Sequence, residues 1–139
     1  MTSASPDTLT QAEYLELERK APVHSEYIDG RMFAMSGASR RHNLITMNLS
    51  AALHGQLKDR PCEVYASDMR VKGAATGMYT YPDVVAVRGE PQLEDDLFDT
   101  LLNEWVLSDL CDPAATLHLP SIEGVPLDDI YDRVDFADR

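Results

Sequence analysis

The chain has 139 residues, 44% hydrophobic and 26% charged, which is typical of one globular domain and excludes a disordered or fibrous chain. No apolar run approaches the roughly 20 residues that span a bilayer, and the start lacks the basic and apolar regions of a signal peptide. Because the two cysteines, Cys62 and Cys111, form no CxxC motif, we expect neither a disulfide scaffold nor a cysteine-based zinc site, and we expect a cytoplasmic location.

The acidic excess lies entirely in the C-terminal part of the chain. The formal net charge is −12. Residues 1–89 carry ten acidic and ten basic residues, whereas residues 90–139 carry fourteen acidic residues and only Arg133 and Arg139 as bases. Such a surface repels phosphate, and its simplest interpretation is that it keeps the protein soluble.

Local signals in the N-terminal part predict a helix followed by a β-hairpin. Thr10 and Glu13 have the spacing of a capping box, in which the hydroxyl and the carboxylate each satisfy a backbone N–H at the helix start. Asp29-Gly30 is favoured in hairpin turns, where both central residues need positive φ. The predicted elements are a helix over about 11–20 and strands at 25–28 and 31–35.

A longer helix and further strands are predicted in the middle of the chain. Ile45, Leu49 and Leu53 recur at helical spacing and form one apolar stripe. We expect this stripe to pack against a Val-rich buried strand, at Val84, Val85 and Val87. The predicted elements are a helix over about 40–58 and strand segments at 62–66, 69–72 and 81–87.

The pattern weakens after Gly89, where the sequence becomes acidic. The predicted elements here are strands at 104–110 and 115–119 and a short last helix over 126–134. The order of helix, hairpin, long helix and strands predicts a mixed α/β fold in a single domain, residues 1–139.

Asp83 and His42 are the first candidates for chemistry. Asp83 follows Pro82 at the start of a Val-rich strand, where a carboxylate is costly unless a cation such as a metal ion pairs with it. His42 lies on the apolar stripe of the long helix, from which it would meet Asp83 across the core. Each also has a structural interpretation, as a turn aspartate and as a hydrogen-bonded core histidine. Arg40 and Arg41 suit either a phosphate at the helix N-terminus or a solvated first turn.

Glu26 and Asp68 are two further acids next to predicted strands in the net-neutral part of the chain. Hard cations such as Mg²⁺ are bound by one or two carboxylates together with water, so three such acids are compatible with a magnesium site. The sequence contains no HExxH, P-loop, GxSxG or GxGxxG motif that would indicate another chemistry.

Four longer segments between about Thr8 and Phe136 are informative together. They are SEYIDGRMFAMSGASRRHNLI, CEVYASDMRVK, YTYPDVVAVRGEPQ and ATLHLPSIEGVPLDDIYDRV. In this order they resemble the Uma-type family of restriction endonucleases, which belongs to the PD-(D/E)XK nuclease superfamily. The resemblance implies a restriction-endonuclease-like mixed β-sheet core flanked by helices, and Mg²⁺-dependent hydrolysis of DNA phosphodiesters.

The resemblance also implies roles for individual residues. Asp83 matches the family's metal-binding aspartate in the Pro-Asp motif. Glu26 matches the acid before the hairpin turn, Gly30 the turn glycine, His42 the helix histidine and Asp68 the acid of the Ser-Asp-Met-Arg segment. On this basis Asp83, Glu26 and His42 are the candidate catalytic residues, and Asp83 is the candidate Mg²⁺ ligand.

The sequence departs from the family pattern near Asn103-Glu104. The family continues there into a Glu-Val-Leu-Ser strand, a helix and a further strand, whereas this chain passes directly to a segment that resembles the family's C-terminal tail. The acid and the basic residue of that strand are therefore missing, and no lysine follows Lys72. Glu104 stands in a Glu-Trp-Val-Leu-Ser sequence, but we interpret it as part of the tail. The deletion is either natural or an artefact of the gene assignment.

These observations predict a truncated nuclease-type domain with weak or no DNA endonuclease activity. The alternative is a non-catalytic acidic interaction module, because the deletion leaves the strand at 84–87 with an unpaired edge through which it would associate with another chain. The expected partners are DNA and a second copy of the chain, and no membrane is expected. An active enzyme would require a second acid close to Asp83.

Overall fold

The computed structural model describes residues 8–95, 97, 99–103, 116–117 and 124–136. The chain forms two compact units, each of which contains several separate segments. Unit 1 comprises Met1–Ser36, Arg70–Tyr81 and Gln92–Trp105, and unit 2 comprises Gly37–Met69, Pro82–Pro91 and Val106–Arg139. The assignment of all residues to a single domain stays a prediction.

Unit 1 begins with helix α1, Gln11–Glu18, at the predicted place. The capping box is formed as expected: the Thr10 hydroxyl accepts a hydrogen bond from the Glu13 backbone N–H, and the Glu13 carboxylate accepts one from the Thr10 backbone N–H at 2.7 Å. The helix ends two residues before the predicted boundary. Tyr14, Leu15 and Glu18 form its buried face.

The described strands of unit 1 form one sheet, and they are β1 (Ser25–Ile28), β2 (Arg31–Ala34), β4 (Arg70–Gly73), β5 (Tyr79–Thr80) and β7 (Thr100–Asn103). Their order in the sheet is β2-β1-β5-β4-β7. The predicted hairpin is confirmed, with Asp29 at φ 47° and Gly30 at φ 80° in its turn. Among these described strands, β4 and β7 pair in parallel and the other pairs are antiparallel, so the sheet is mixed.

A cluster of three tyrosines joins α1 to this sheet. The ring centroids of Tyr14 and Tyr27 are 5.1 Å apart, and those of Tyr14 and Tyr79 are 5.2 Å apart. Buried phenols need hydrogen-bond partners. The Tyr14 hydroxyl donates to the Ser25 carbonyl and the Tyr27 hydroxyl to the Leu9 carbonyl, each at 2.7 Å. The cluster therefore buries large apolar rings without leaving their hydroxyls unpaired.

Unit 2 is built around the long helix α2, Arg40–Leu57, which matches its prediction closely. Ser39 caps the helix, because its hydroxyl accepts a hydrogen bond from the His42 backbone N–H at 3.1 Å. The described part of unit 2 also contains two short sheets, each of two antiparallel strands, and a one-turn helix. These elements are β3 (Cys62–Tyr65), β6 (Val85–Arg88), β8 (Thr116–Leu117), β9 (Val125–Pro126) and α3 (Leu127–Ile130).

The core of unit 2 lies between α2 and the C-terminal elements. Its buried members are Leu53, Leu57, Val125, Leu127 and Ile130. The predicted stripe contributes as expected, because Ile45 and Leu49 also pack against this cluster together with Val84. Val85 and Val87 are half-buried and are not members of the described cluster.

Two predicted elements differ from the structure. The strand predicted at 81–87 is confirmed only over its second half, because β6 covers Val85–Arg88. The residues before β6 include Pro82, which cannot donate to a strand ladder. The last helix is one turn long, and Arg133 adopts a φ of 60° in place of the predicted continuation. The prediction at 104–110, including Glu104, lies outside the described residues.

The predicted fold class is confirmed as an α/β arrangement with a mixed sheet and flanking helices. Strand β7 had no counterpart in the predicted elements. Within the ranges that the structure describes, none of the helices is both long enough and apolar enough to cross a membrane.

Candidate functional site

His42 and Asp83 meet at the N-terminal end of α2. His42 Nε2 lies 2.8 Å from Asp83 Oδ1. His42 stands in the first turn of the helix after the Ser39 cap, and Asp83 stands two residues before β6. The predicted meeting of these two side chains is therefore confirmed.

The pair lies at the surface and not across the core, which corrects the expected environment. The side chains of His42 and Asp83 are 44% and 55% exposed. The reason is that β6 starts only at Val85 and alternates between half-buried and exposed residues, so Asp83 does not enter a fully buried strand. The cost of burying a carboxylate does not arise here, and water reaches both groups.

The two arginines beside His42 have different surroundings. The guanidinium of Arg41 lies 5.9 Å from the centroid of the Phe136 ring, which is itself 5.6 Å from the ring of Tyr131. Arg41 is thus engaged with the C-terminal segment of unit 2, whereas Arg40 is exposed.

Asn48, which the sequence did not suggest, fixes α2 to the turn that follows α3. Its side-chain amide donates to the carbonyls of Ile130 and Asp132, each at 2.9 Å. An asparagine in the middle of a helix is unusual because its side chain competes for backbone hydrogen bonds. An asparagine at this mid-helix position is the sequence feature that could have suggested such a contact. In the structure it connects α2 to the turn after α3.

Glu26 and Asp68 have different surroundings. Glu26 lies on β1 in unit 1, where its carboxylate accepts a hydrogen bond from the Thr80 hydroxyl. Asp68 lies in unit 2 in the turn after β3, and it is exposed. The structure therefore joins His42 to Asp83 directly, while Glu26 is held within the sheet of the other unit.

A buried polar network in unit 1 was also missed by sequence reasoning. Glu18 is fully buried and accepts hydrogen bonds from the Tyr81 hydroxyl at 2.8 Å and from the Ser25 backbone N–H at 3.0 Å. Arg70 donates from Nε to the Tyr81 hydroxyl at 3.0 Å and from a terminal nitrogen to the Thr100 hydroxyl at 3.1 Å. Burial, followed by the hydrogen bond to Glu18, raises the pKa of Tyr81 to about 12. These groups stabilise the sheet.

Ion pairs connect the segment around β7 to the rest of unit 1. Arg19 donates to Asp99 at 2.8 Å and to Asp95 at 3.0 Å, and Lys72 lies 2.5 Å from Glu94. The hydrogen bond from Arg19 is the main cause that lowers the pKa of Asp99 to about 2. Acidic residues of the 90–103 region thus pair with basic residues of unit 1.

Comparison with known proteins identifies the family. A sequence profile of Uma2, described as "Putative restriction endonuclease", matches residues 11–107. The chain belongs to the Uma2 family. Two uncharacterized proteins of Synechocystis are related to it. The protein sll1609 is 36% identical over 83% of this chain and 65% of its own length, and slr1290 is 37% identical over 59% of this chain and 43% of its own length.

A solved structure supports the same fold. It is described as a "putative nuclease belonging to DUF820" from Anabaena variabilis, with a TM-score of 0.53 and 18% sequence identity over 72% of this chain and 54% of that one. This Uma2 chain thus spans between 43% and 65% of the lengths of these three proteins.

The described residues of this Uma2 protein present no group of acids that fits the magnesium ion which the nuclease fold implies. Mg²⁺ demands oxygen ligands in octahedral geometry and is held by carboxylates and water. The His42–Asp83 pair offers one carboxylate and an imidazole nitrogen. Over the part of the chain that the structure describes, no three His, Cys, Asp or Glu side chains are grouped so that they could hold a metal ion. We therefore derive no catalytic step through magnesium.

Proposed function

We propose that the chain has the fold of Mg²⁺-dependent DNA endonucleases but has little or no hydrolytic activity of its own. The observation that carries the proposal is the composition of the His42–Asp83 site, in which, among the residues that the structure describes, one carboxylate is paired with an imidazole. Membership of the Uma2 family and the nuclease-like fold support DNA phosphodiesters as the ancestral substrate.

The chemistry of phosphodiester hydrolysis explains why one carboxylate is insufficient. An attacking water must be oriented and deprotonated, and charge on the phosphate must be neutralised by metal ions or fixed cations. Lys72 is the last lysine of the sequence, and its ammonium group is paired with Glu94 at 2.5 Å. It is therefore not available for the role that a lysine has in such a site.

The electrostatics also oppose tight binding of DNA. Affinity for nucleic acid depends largely on the number of phosphates that lysine and arginine neutralise. Arg19 pairs with Asp95 and Asp99, and Arg70 lies 3.3 Å from Asp99. Together with the acidic excess of residues 90–139, these pairings reduce the positive charge that a phosphate backbone would meet.

A plasmid-nicking assay tests the proposal. The purified chain with Mg²⁺ or Mn²⁺ is expected to leave supercoiled DNA intact, with the same background as Asp83→Ala. Asp59→Asn, a change at an exposed acid after α2, serves as the matched control for altered charge. Metal-dependent nicking that disappears in Asp83→Ala would contradict the proposal, and Glu104→Gln would then test whether Glu104 supplies the second acid.

A second candidate function is an interaction module that associates through a sheet edge. In the described segments, β6 pairs with β3 and with no other strand. A β-strand with a free edge pairs readily with another chain. We expect a concentration-dependent dimer in light scattering that Ala86→Lys in β6 shifts towards monomer, while Ala74→Lys in a turn does not. A monomer at every concentration would exclude this candidate.

A further inference from the structure

Three carboxylates of the acidic region meet basic side chains of unit 1. Arg19 donates to Asp99 at 2.8 Å and to Asp95 at 3.0 Å, and Lys72 Nζ lies 2.5 Å from Glu94 Oε1. We infer that Glu94, Asp95 and Asp99 are blocking acids, which occupy a phosphate-binding surface of unit 1 and exclude nucleic acid from it. This autoinhibitory contact rests on the proposed function only in that nucleic acid is the ligand it excludes.

The surroundings of Glu94 are those of an anion held by two donors. Its Oε1 accepts hydrogen bonds from Lys72 Nζ at 2.5 Å and from the Tyr79 hydroxyl at 2.6 Å. Burial is the main cause that raises the pKa of Tyr79 to about 12, so this hydroxyl keeps the proton that it donates. An ammonium group and a hydroxyl that converge on one oxygen suit a phosphate oxygen as well as a carboxylate oxygen. Glu94 therefore lies where an oxygen of an external anion would bind.

The second oxygen of Glu94 shows that this carboxylate is incompletely satisfied. Glu94 Oε2 is buried and has no hydrogen-bond partner among the residues that the structure describes. A buried carboxylate oxygen without a donor costs free energy, because it has lost its hydrogen bonds to water. Release of Glu94 into solvent restores those hydrogen bonds and offsets part of the lost ion pair with Lys72. The contact is therefore suited to displacement by a competing anion.

The contacts of Arg19 are also open to competition. The side chains of Arg19, Asp95 and Asp99 are 29%, 35% and 32% exposed. Charges exposed to this degree are screened by salt and accessible to other anions. The planar guanidinium group binds phosphate oxygens as well as carboxylates, because its donors form two parallel hydrogen bonds. Arg70, in contrast, is buried, and we do not expect it to reach a phosphate.

Binding of a fluorescently labelled DNA duplex in EDTA tests the inference without metal or cleavage. The three-acid variant carries Glu94→Gln, Asp95→Asn and Asp99→Asn, and it should bind the duplex at least about tenfold more tightly than the unaltered chain. Its plot of log K against log salt concentration should be steeper by about 1.8, because Arg19 and Lys72 each gain a phosphate at about 0.9 per contact. Adding Lys72→Gln should remove about half of that increase.

The matched control neutralises three exposed acids elsewhere, through Asp59→Asn, Glu90→Gln and Asp128→Asn. It changes the net charge equally, so it should raise the affinity less and leave the slope near that of the unaltered chain. Equal slopes for the control and the three-acid variant, or no gain in a three-acid variant with native circular dichroism, would overturn the inference. If that variant unfolds, Glu94→Gln alone must steepen the slope by about 0.9, and an unchanged slope would overturn the inference as well. Plasmid nicking tests the proposed function separately.

Discussion

At the residue scale, Asp99 shows how neighbouring cations stabilise an ionised carboxylate. It accepts hydrogen bonds from Arg19 at 2.8 Å and from the Thr100 hydroxyl at 3.0 Å, and Arg70 lies 3.3 Å away. These contacts lower the pKa of Asp99 from 3.8 to about 2, the hydrogen bond from Arg19 having the largest effect. Because the pKa is lower in the folded state, the stabilisation is present above pH 3.8 and is lost as the pH falls towards 2.

Asp99→Asn should therefore destabilise the protein at neutral pH by about 1–2 kcal/mol, a value reduced from the full pKa shift because the carboxylate is partly exposed. The difference in unfolding free energy between the unaltered chain and Asp99→Asn should shrink between about pH 4 and pH 2, because Asp99 of the unaltered chain becomes protonated there. Urea unfolding at a series of pH values measures this. A constant difference for Asp99→Asn down to pH 2 would contradict the account.

At the scale of elements, α2 is the helix on which the candidate site depends. Ser39 caps its start and His42 lies in its first turn. Asn48, in its middle, donates to the carbonyls of Ile130 and Asp132 at the end of α3. The apolar face beyond Asn48 packs in the core of unit 2. The position of His42 is therefore set by the Ser39 cap, by the hydrogen bonds of Asn48 and by the packing of the apolar face of α2 in the core of unit 2.

Asn48→Ala removes both anchoring hydrogen bonds and leaves two carbonyls without these donors. We expect a loss of about 1–2 kcal/mol in unfolding free energy, with faster amide exchange in residues 127–132. Asn43→Ala is the matched control, because among the described residues the Asn43 side chain donates to the carbonyls of Ala38 and Ser39, within the helix start. Unchanged exchange in 127–132 for Asn48→Ala would show that the anchor does not hold this segment.

The elements that could be predicted from the sequence are those whose partners are close in the chain. The Thr10–Glu13 capping box and the Asp29-Gly30 turn each involve residues within a few positions, and both formed as predicted. Strand β7 depends on parallel pairing with β4, about 30 residues earlier, and no local pattern indicated it. The hydrogen bond between Glu18 and Tyr81 spans 63 residues and was equally hidden.

At the scale of the whole molecule, the candidate site was predicted only in part. The contact between His42 and Asp83 followed from helix periodicity and the family resemblance. The exposure of the two side chains was not predicted. The strand expected at 81–87 would have included Pro82, which cannot donate a hydrogen bond to a neighbouring strand, and β6 begins only at Val85. The roles of Glu26, His42 and Asp83 in catalysis, and of Asp83 as a metal ligand, stay predictions.

The distribution of charge across the molecule, like the composition of the His42–Asp83 site, favours weak or no hydrolysis of DNA. The Uma2 chain combines a nuclease-like fold with an acidic C-terminal part and with basic side chains that are already paired, among them Arg19 and Lys72. Weak binding of DNA alone would hide hydrolysis in an ordinary assay. A direct test for hydrolysis must therefore measure the cleavage of DNA that is already bound to the protein.

Single-turnover cleavage of a short labelled DNA duplex, with the protein in large excess and Mg²⁺ present, provides that test. At saturating protein the measured rate reports the chemical step on bound DNA. The account predicts that the chain and its Asp83→Asn variant give the same rate, equal to that of DNA without protein. A faster, Mg²⁺-dependent rate that falls to the background in Asp83→Asn would contradict it.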